Sequence, residues 1–492
     1  MNIQLPDLAN GQSAGGVMGG EAVEALQKAL TMGYGTDVSA LTGGAALRIQ
    51  SLDKTMFSTI QENKHFRLFN ELAKTNATAT VDEWSEQSGV GGFLGGSTNT
   101  ETGTIASADG AYARRTAQVK YLMTRREVSL VATLGNNIAS AEAVEQQNGA
   151  LQLLSDAEYL CFEGDSTVVP TEFDGIYAQM VAGVNAGQID GTNVLDAGAQ
   201  PLNSMTMISQ AAAQIAGYGN FGTPTHIFTS QGVQADFDNG LDPAFRVSLD
   251  SNPGSLQLGA PVKGIRTSWG DVATMPDVFI REDMRLQPFE VLYPVAATGN
   301  VTNKPVSVTP AASSDPSSKF GAAHAGNYYY LVTGVNSKGE STGLISAQIA
   351  VSAGQKVTLT IGRSVGGQET GYAVYRSRLN GGGTVAGSVS GQGSDFRLMS
   401  RVPVTGATTT YVDQNREIPG TSKAYILNMS NGGGAISWRQ LLPMLKFPLY
   451  PTAAATIPWA QLLFGYLRLT KRRQHVVIKN VLAAGATWRP FN

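Results

Sequence analysis

With 492 residues, the chain exceeds the size at which one hydrophobic core keeps growing, so about two to four packing units are expected. Its 35 basic against 38 acidic side chains leave a formal charge of -3, which excludes a polypeptide that coats nucleic acid over its whole surface. Charged residues make up only 15% and there are 57 glycines, so the surface is drawn from Gly, Ser, Thr, Asn and Gln, a composition suited to extended, sheet-rich segments.

The opening "MNIQLPDLANGQSAGG" has neither a basic leader nor an apolar run, so no secretory signal is expected. No window reaches the roughly 18 apolar residues of a membrane helix. The lone cysteine, Cys161, cannot close an intrachain disulfide, and between Leu160 and Phe162 it reads as a small buried hydrophobe. Together these features predict a soluble protein made in a reducing cytosol.

Up to about residue 75, two amphipathic pieces, "GGEAVEALQKALTM" and "SLDKTMFSTIQENKHFRLFNELAK", flank a glycine-rich stretch. Val23, Leu26 and Leu30 in the first, and Phe57, Ile60, Phe66, Leu68 and Phe69 in the second, recur at helical spacing. Helices so scattered cannot close a core alone and read as an arm lying on another surface. Residues 76–131 carry strand signals on both sides of the loose, polar "VGGFLGGSTNTETGTIASADGA"; Ala117, Val119, Tyr121 and Met123 alternate with Gln118, Lys120 and Thr124. This predicts a long two-stranded flap, which must rest on a neighbouring surface because an isolated ribbon is barely stable.

The stretch "SAEAVEQQNGALQLLSDAEYLCFEGD" predicts a helix from about Asn137 to Glu163, with Val144, Leu151, Leu154 and Cys161 along a narrow stripe. At about 1.5 Å per residue it spans roughly 40 Å. From 171 to 300 helices and strands interleave: "SMTMISQAAAQIAGYG" and "SQGVQADFDNGL" are helical, "THIFTS" and "VKGIRTSWGDVATMPDVFI" strand-like, which implies a mixed layered domain. Past the proline- and serine-rich "KPVSVTPAASSDPSS", short strands such as "YYYLVTGVN", "KVTLTIG", "TGYAVYRS" and "TTTYVD" follow at the spacing of a small sandwich. Mixed character returns near residue 420 with "ISWRQLLPMLKFPLYP", and "WAQLLFGYLRLTKRRQHVVIKNVLAAG" closes the chain, so the sandwich reads as an insert in a host domain.

Motifs for chemistry are absent or out of context. Gly217, Gly219 and Gly222 in "GYGNFG" match the dinucleotide spacing, but that fingerprint needs a strand before the glycines and a helix after them. Here a helix ends at Ala216 and a strand follows, so the glycines read as a helix stop. No Walker A sequence or G-x-S-x-G elbow occurs. His65, His226, His324 and His475 stand in four separate segments without metal-ligand spacing, and Asp236, Asp238 and Asp242 lack the calcium-loop pattern and read as a solvated helix start. No cofactor, metal or catalytic residue is expected.

Two basic clusters remain, Arg114, Arg115, Lys120, Arg125 and Arg126 on the flap and Lys471, Arg472 and Arg473 near the end. One reading makes them charged edges that block strand pairing. The other places the flap cluster against carboxylates of neighbouring chains, with Asp82, Glu83 and Glu86 as candidates. Nucleic acid ranks third, because no aromatic residues are interleaved as a stacking surface requires.

The order of arm, flap, long helix, mixed domain and terminal strands resembles the major capsid proteins of tailed bacteriophages, the Hong Kong 97-like fold. The strings "SLDKTMFSTIQ", "ATVDEWSEQSG", "VKYLMTRREVSLVA", "AEYLCFEGD" and "LLFGYLRLTKRRQHVVIKNV" carry the resemblance through their order, over the chain outside the insert. "YYYLVTGVNSKGES" and "TGYAVYRS" resemble an immunoglobulin-like or fibronectin type III module, without the cysteine pair of antibody domains.

The resemblance implies an α+β fold: N-terminal arm 1–75, extended loop 76–131, peripheral domain with spine helix 132–200, axial domain 201–302 and 419–445, an all-β immunoglobulin-like insertion 303–418, and peripheral C-terminal strands 446–492. It implies a non-enzymatic shell protein, present in the virion and in the host cytoplasm during assembly. Hexamers and pentamers would tile an icosahedral head around double-stranded DNA, held without sequence specificity on the inner face. The partners implied are portal, scaffolding and possible decoration proteins, with no membrane. The rivals are an encapsulin-like nanocompartment, a phage tail or decoration protein, and an enzyme such as a glycosidase carrying a sandwich module.

Overall fold

The computed structural model describes residues 65–105, 107–134, 140–202, 205–240, 262–282, 302–383, 395–430, 432, 434–451 and 454–491. The expected arm therefore lies outside the described residues up to position 64, as do Asp242 and parts of the expected axial domain at 241–261 and 283–301.

The chain enters through the short helix α1 (Leu68–Glu71) and strand β1 (Lys74–Asn76), then forms an antiparallel ribbon of β2 (Val81–Gly89) and β3 (Ala111–Gln118). Val119 ends the ribbon: its N–H donates to the Thr80 carbonyl and its side chain is buried. The strand run resumes as β4 (Lys120–Ser129), but in another sheet. The flap is consequently shorter than the 76–131 read from the alternation, and Lys120, Arg125 and Arg126 are not on it.

After α2 (Leu130–Leu134) comes the long helix α3 (Ala141–Glu163), capped by the Ser140 hydroxyl and ended at Gly164. Gly149, Leu153, Ala157 and Cys161 recur every four residues on its buried side, and Leu151, Tyr159 and Phe162 widen that side. Val144 and Leu154 of the expected stripe are only half-buried. Glu158, also fully buried, accepts the Leu68 and Phe69 N–H groups, both at 2.7 Å, and thereby ties α1 to this helix.

Helix α4 (Ile176–Asn185), β5 (Val194–Gln200), α5 (Met205–Ala216), β6 (His226–Thr229), α6 (Gln231–Gly240) and the hairpin β7 (Gly264–Thr267) and β8 (Gly270–Pro276) build the mixed domain. The glycine motif is a helix stop: α5 ends before it, and Gly222 N–H donates to the Ile215 carbonyl. Asp236 corrects the solvated reading, since it is buried and accepts the Ala484 N–H at 2.8 Å.

The chain then leaves the host as two sheets. One is β9 (Ser307–Ser314), β15 (Gln355–Gly362) and β18 (Thr408–Asp413); the other joins β11 (Tyr330–Asn336), β12 (Gly339–Glu340), β13 (Leu344–Ile345), β16 (Gly371–Ser377) and β17 (Phe396–Pro403). Strands β10 (Gly326–Tyr328) and β14 (Ile349–Val351) pair beside them. Val308, Val357, Leu359 and Ile361 of the first sheet share one core with Tyr330, Val332, Tyr372 and Val374 of the second. Arg376 is buried beside it, bonded to Asp413 and Asn415 and lying over the Phe320 and Tyr328 rings.

The host resumes with β19 (Ser422–Leu427), β20 (Ile436–Pro448), β21 (Thr456–Leu469) and β22 (Val476–Val481). Pairing orders one sheet as β1-β20-β21-β4 and the other as β5-β22-β19-β6-β8-β7. The six-stranded sheet is covered on both faces: Phe228, Tyr425, Leu427 and Val477 pack toward α3 and α4, whereas Ile227, Ala424, Ile426, Val476 and Ile478 pack toward α5 and α6. Two buried faces explain the unbroken apolar runs "AYIL" and "VVI". Strand pairing crosses the expected boundaries, because β20 begins in the segment assigned to the axial layer yet lies beside β21, and β22 returns to the six-stranded sheet.

Residues 483–491 run back from β22 as a strap to the sandwich. Trp488 is buried with Arg397 over its ring, Leu379 N–H donates to the Pro490 carbonyl, and Phe491 stacks on His324 at 4.0 Å.

Candidate assembly interface

The ribbon has two unlike halves. Near its base, Asp82, Trp84 and Glu86 alternate toward the body while Val81, Glu83, Ser85 and Gln87 face outward, as period two dictates. Beyond Gly89, the connection to β3 carries Val90, Phe93, Leu94 and Ile105, each at least 75% exposed. Exposed apolar side chains on one connecting loop make this end of the ribbon a candidate contact surface.

The base is held by charge. Asp82 accepts Arg439 Nε at 2.8 Å and Nη2 at 3.1 Å and the Tyr466 hydroxyl at 2.5 Å, with Arg468 at 3.6 Å. Burial alone would raise its pKa, but these hydrogen bonds and the two guanidinium charges outweigh it and hold the carboxyl below its ordinary range. Glu86 pairs with Arg115 at 3.0 Å and with Arg472 at 3.4 Å, and Arg472 also bonds Gln188. Under the ribbon lies a cleft of about 950 Å³, walled in part by Trp84, Ala117, Tyr159, Tyr177, Arg401 and Tyr466.

The eight candidate contact residues thus separate. Asp82, Glu86 and Arg115 are engaged within the chain at the ribbon base. Arg114 and Glu83 form an outward pair at 2.9 Å, with side chains 75% and 43% exposed. Lys120 donates to the Pro170 carbonyl, Arg126 bonds Glu145 and Gln152 on α3, and Arg125 pairs with Glu127 on the open side of β4. Sequence reasoning missed Arg439, Tyr466 and Arg468. Their signal was a polar side chain recurring within long apolar strands, and the register that sets Arg439 opposite Tyr466 is a tertiary fact.

Burial pushes the Cys161 thiol well up, which leaves it a packing residue. Among the described residues, no group of three or more His, Cys, Asp or Glu side chains is placed to hold a metal ion.

No family model matches the chain. It is 26% identical over 486 residues to a putative major capsid protein of Enterococcus phage phiEF24C, spanning 95% of this chain and 97% of that protein. It is 25% identical over 474 residues to the major capsid protein of Staphylococcus phage S25-3, spanning 93% and 95%. Of solved structures, the capsid of a native GTA particle aligns with 92% of this chain and 100% of its own, at 8% identity and a TM-score of 0.45.

Proposed function

We propose that this chain is the major capsid protein of a tailed bacteriophage, the shell subunit of the head. The observation that carries the reading is end-to-end similarity to two proteins named as major capsid proteins, over 93–95% of this chain and 95–97% of theirs. The bared apolar ribbon tip supports it, since such a tip is buried only when another molecule covers it. Many modest contacts of this kind, repeated by symmetry, make a durable container without catalysis.

In this reading the host is a Hong Kong 97-like fold, with α3 as spine and the ribbon as extended loop, and the sandwich is an immunoglobulin-like insertion. Copies form hexamers and pentamers around double-stranded DNA, in company with portal, scaffolding and possible decoration proteins, first in the host cytoplasm and then in the virion. Glu83, Arg114 and Arg125, whose side chains face outward, supply polar contacts between copies. Electron microscopy of the purified protein tests the proposal. Closed icosahedral shells are expected; tubes or discrete monomers would contradict it, and shells filled with a protein cargo would favour the encapsulin-like alternative.

A further inference from the structure

Trp84 and Ala117 on the underside of the ribbon pack at the margin of the host core and border a cleft of about 950 Å³. Apolar packing is non-directional, so the polar contacts along the ribbon's base are the directional part of the anchorage. Asp82 occupies a socket made by two paired strands: Arg439 on β20 stands opposite Tyr466 on β21, and both donate to the same carboxylate. Arg468, two residues further along β21, approaches that carboxylate and lies over the Trp84 ring at 5.9 Å. Glu86, one full strand period beyond Trp84, reaches Arg472, three residues past the end of β21. A two-residue acidic foot on β2 thus stands on a row of three arginines belonging to the body.

We propose that Asp82 is a positioning residue for assembly: with Glu86 it fixes the angle at which the ribbon leaves the body, and hence the angle between neighbouring copies. From Asp82 to the end of β2 the lever is roughly 24 Å long at about 3.4 Å per residue. A tilt of about 5° at the base moves that end by ~2 Å, enough to change which contacts a neighbour meets. The consequence for particles rests on the capsid reading above, whereas the ribbon angle belongs to the single chain.

The test uses spin labels at Ser97→Cys on the exposed ribbon tip and Ala186→Cys on the exposed end of α4, in the full chain before assembly; native Cys161 is buried. Double electron–electron resonance is expected to give one narrow distance distribution for the otherwise unsubstituted chain. Asp82→Asn and Arg439→Gln should each widen it at least twofold and yield particles of mixed diameter. Glu83→Gln, which within the chain breaks only the outward pair with Arg114, should leave the distance distribution as narrow as in the parent. Distributions as narrow in Asp82→Asn and Arg439→Gln as in the parent would overturn the proposal. Arg439→Gln decides alone if Asp82→Asn does not fold. If the unsubstituted chain makes no closed particles, the capsid reading fails while the distance distributions still judge the foot.

Discussion

Glu340 is buried at the edge of the sandwich, where the Thr333 and Tyr375 hydroxyls donate to its carboxylate. Burial raises its pKa to about 7, only partly offset by those two hydrogen bonds. Between its ordinary 4.5 and about 7 the folded chain binds more protons than the unfolded one, so stability falls as pH rises through that window, by up to about 3 kcal/mol. Glu340→Gln keeps an acceptor for both hydroxyls and removes the charge; a higher melting temperature above pH 7 and a flatter pH profile are expected from calorimetry. His475 works in the opposite sense. Burial lowers its pKa to about 4, so the folded chain binds fewer protons between about 4 and 6.5, and stability is lost as pH falls through that range. The two effects oppose each other between about 4.5 and 6.5, and only the single variants separate them: His475→Gln should weaken the acid-side loss, and an unchanged acid limb would refute it. The sequence marked acidic and basic residues near the ribbon, but not which were paired. Asp82 lies 357 positions from Arg439, a separation that no local pattern encodes.

Elements were most readable where one period governed them. Helix α3 was expected from about 137 and is described from Ala141 to Glu163, and α5, β6 and α6 follow the segments read for them. Strand β20 was not readable as a strand, because its pairing with β21 slips between Gln440 and Leu442 and again between Leu442 and Leu445, which breaks the alternation of "SWRQLLPMLKF". Before those slips, Trp438 fills the space above Gly465, with Phe69 and Phe173 edge-on at 5.1 and 5.3 Å. A Cβ on Gly465 would stand 2.6 Å from the Trp438 ring and 2.7 Å from the Arg439 carbonyl oxygen, so neither strand nor ring can absorb it. Gly465→Ala is predicted to destabilise the host by about 1–3 kcal/mol in chemical denaturation. A loss below a few tenths would mean that the ring has room to move.

At the scale of the whole molecule, the sandwich is tied to the host beyond its two chain connections. Arg401 pairs with Glu172, Gly371 leaves room for Val168, and the strap 483–491 holds Arg397, Leu379 and His324. Gly420, at φ +72°, admits the Trp488 ring where a Cβ would stand 2.3 Å from it. Trp488→Ala should release the strap and speed tryptic cleavage after Arg378, whose neighbour Leu379 bonds Pro490; an unchanged cleavage rate would show that the strap bears no restraint. The strands between 307 and 413 were legible because two-residue spacing replaced helical spacing, whereas the strap was not, since "AAGATWRPF" has no period at all. Strands β8 and β19 both flank β6, and because β8 runs parallel to it and β19 antiparallel, Pro276 and Ser422 lie toward its Thr229 end. The strand ends that precede and follow the sandwich in the chain are thus about 10 Å apart, two strand spacings. A foreign module whose own termini lie close together could bridge those two strand ends with the pairing of the host sheet left intact.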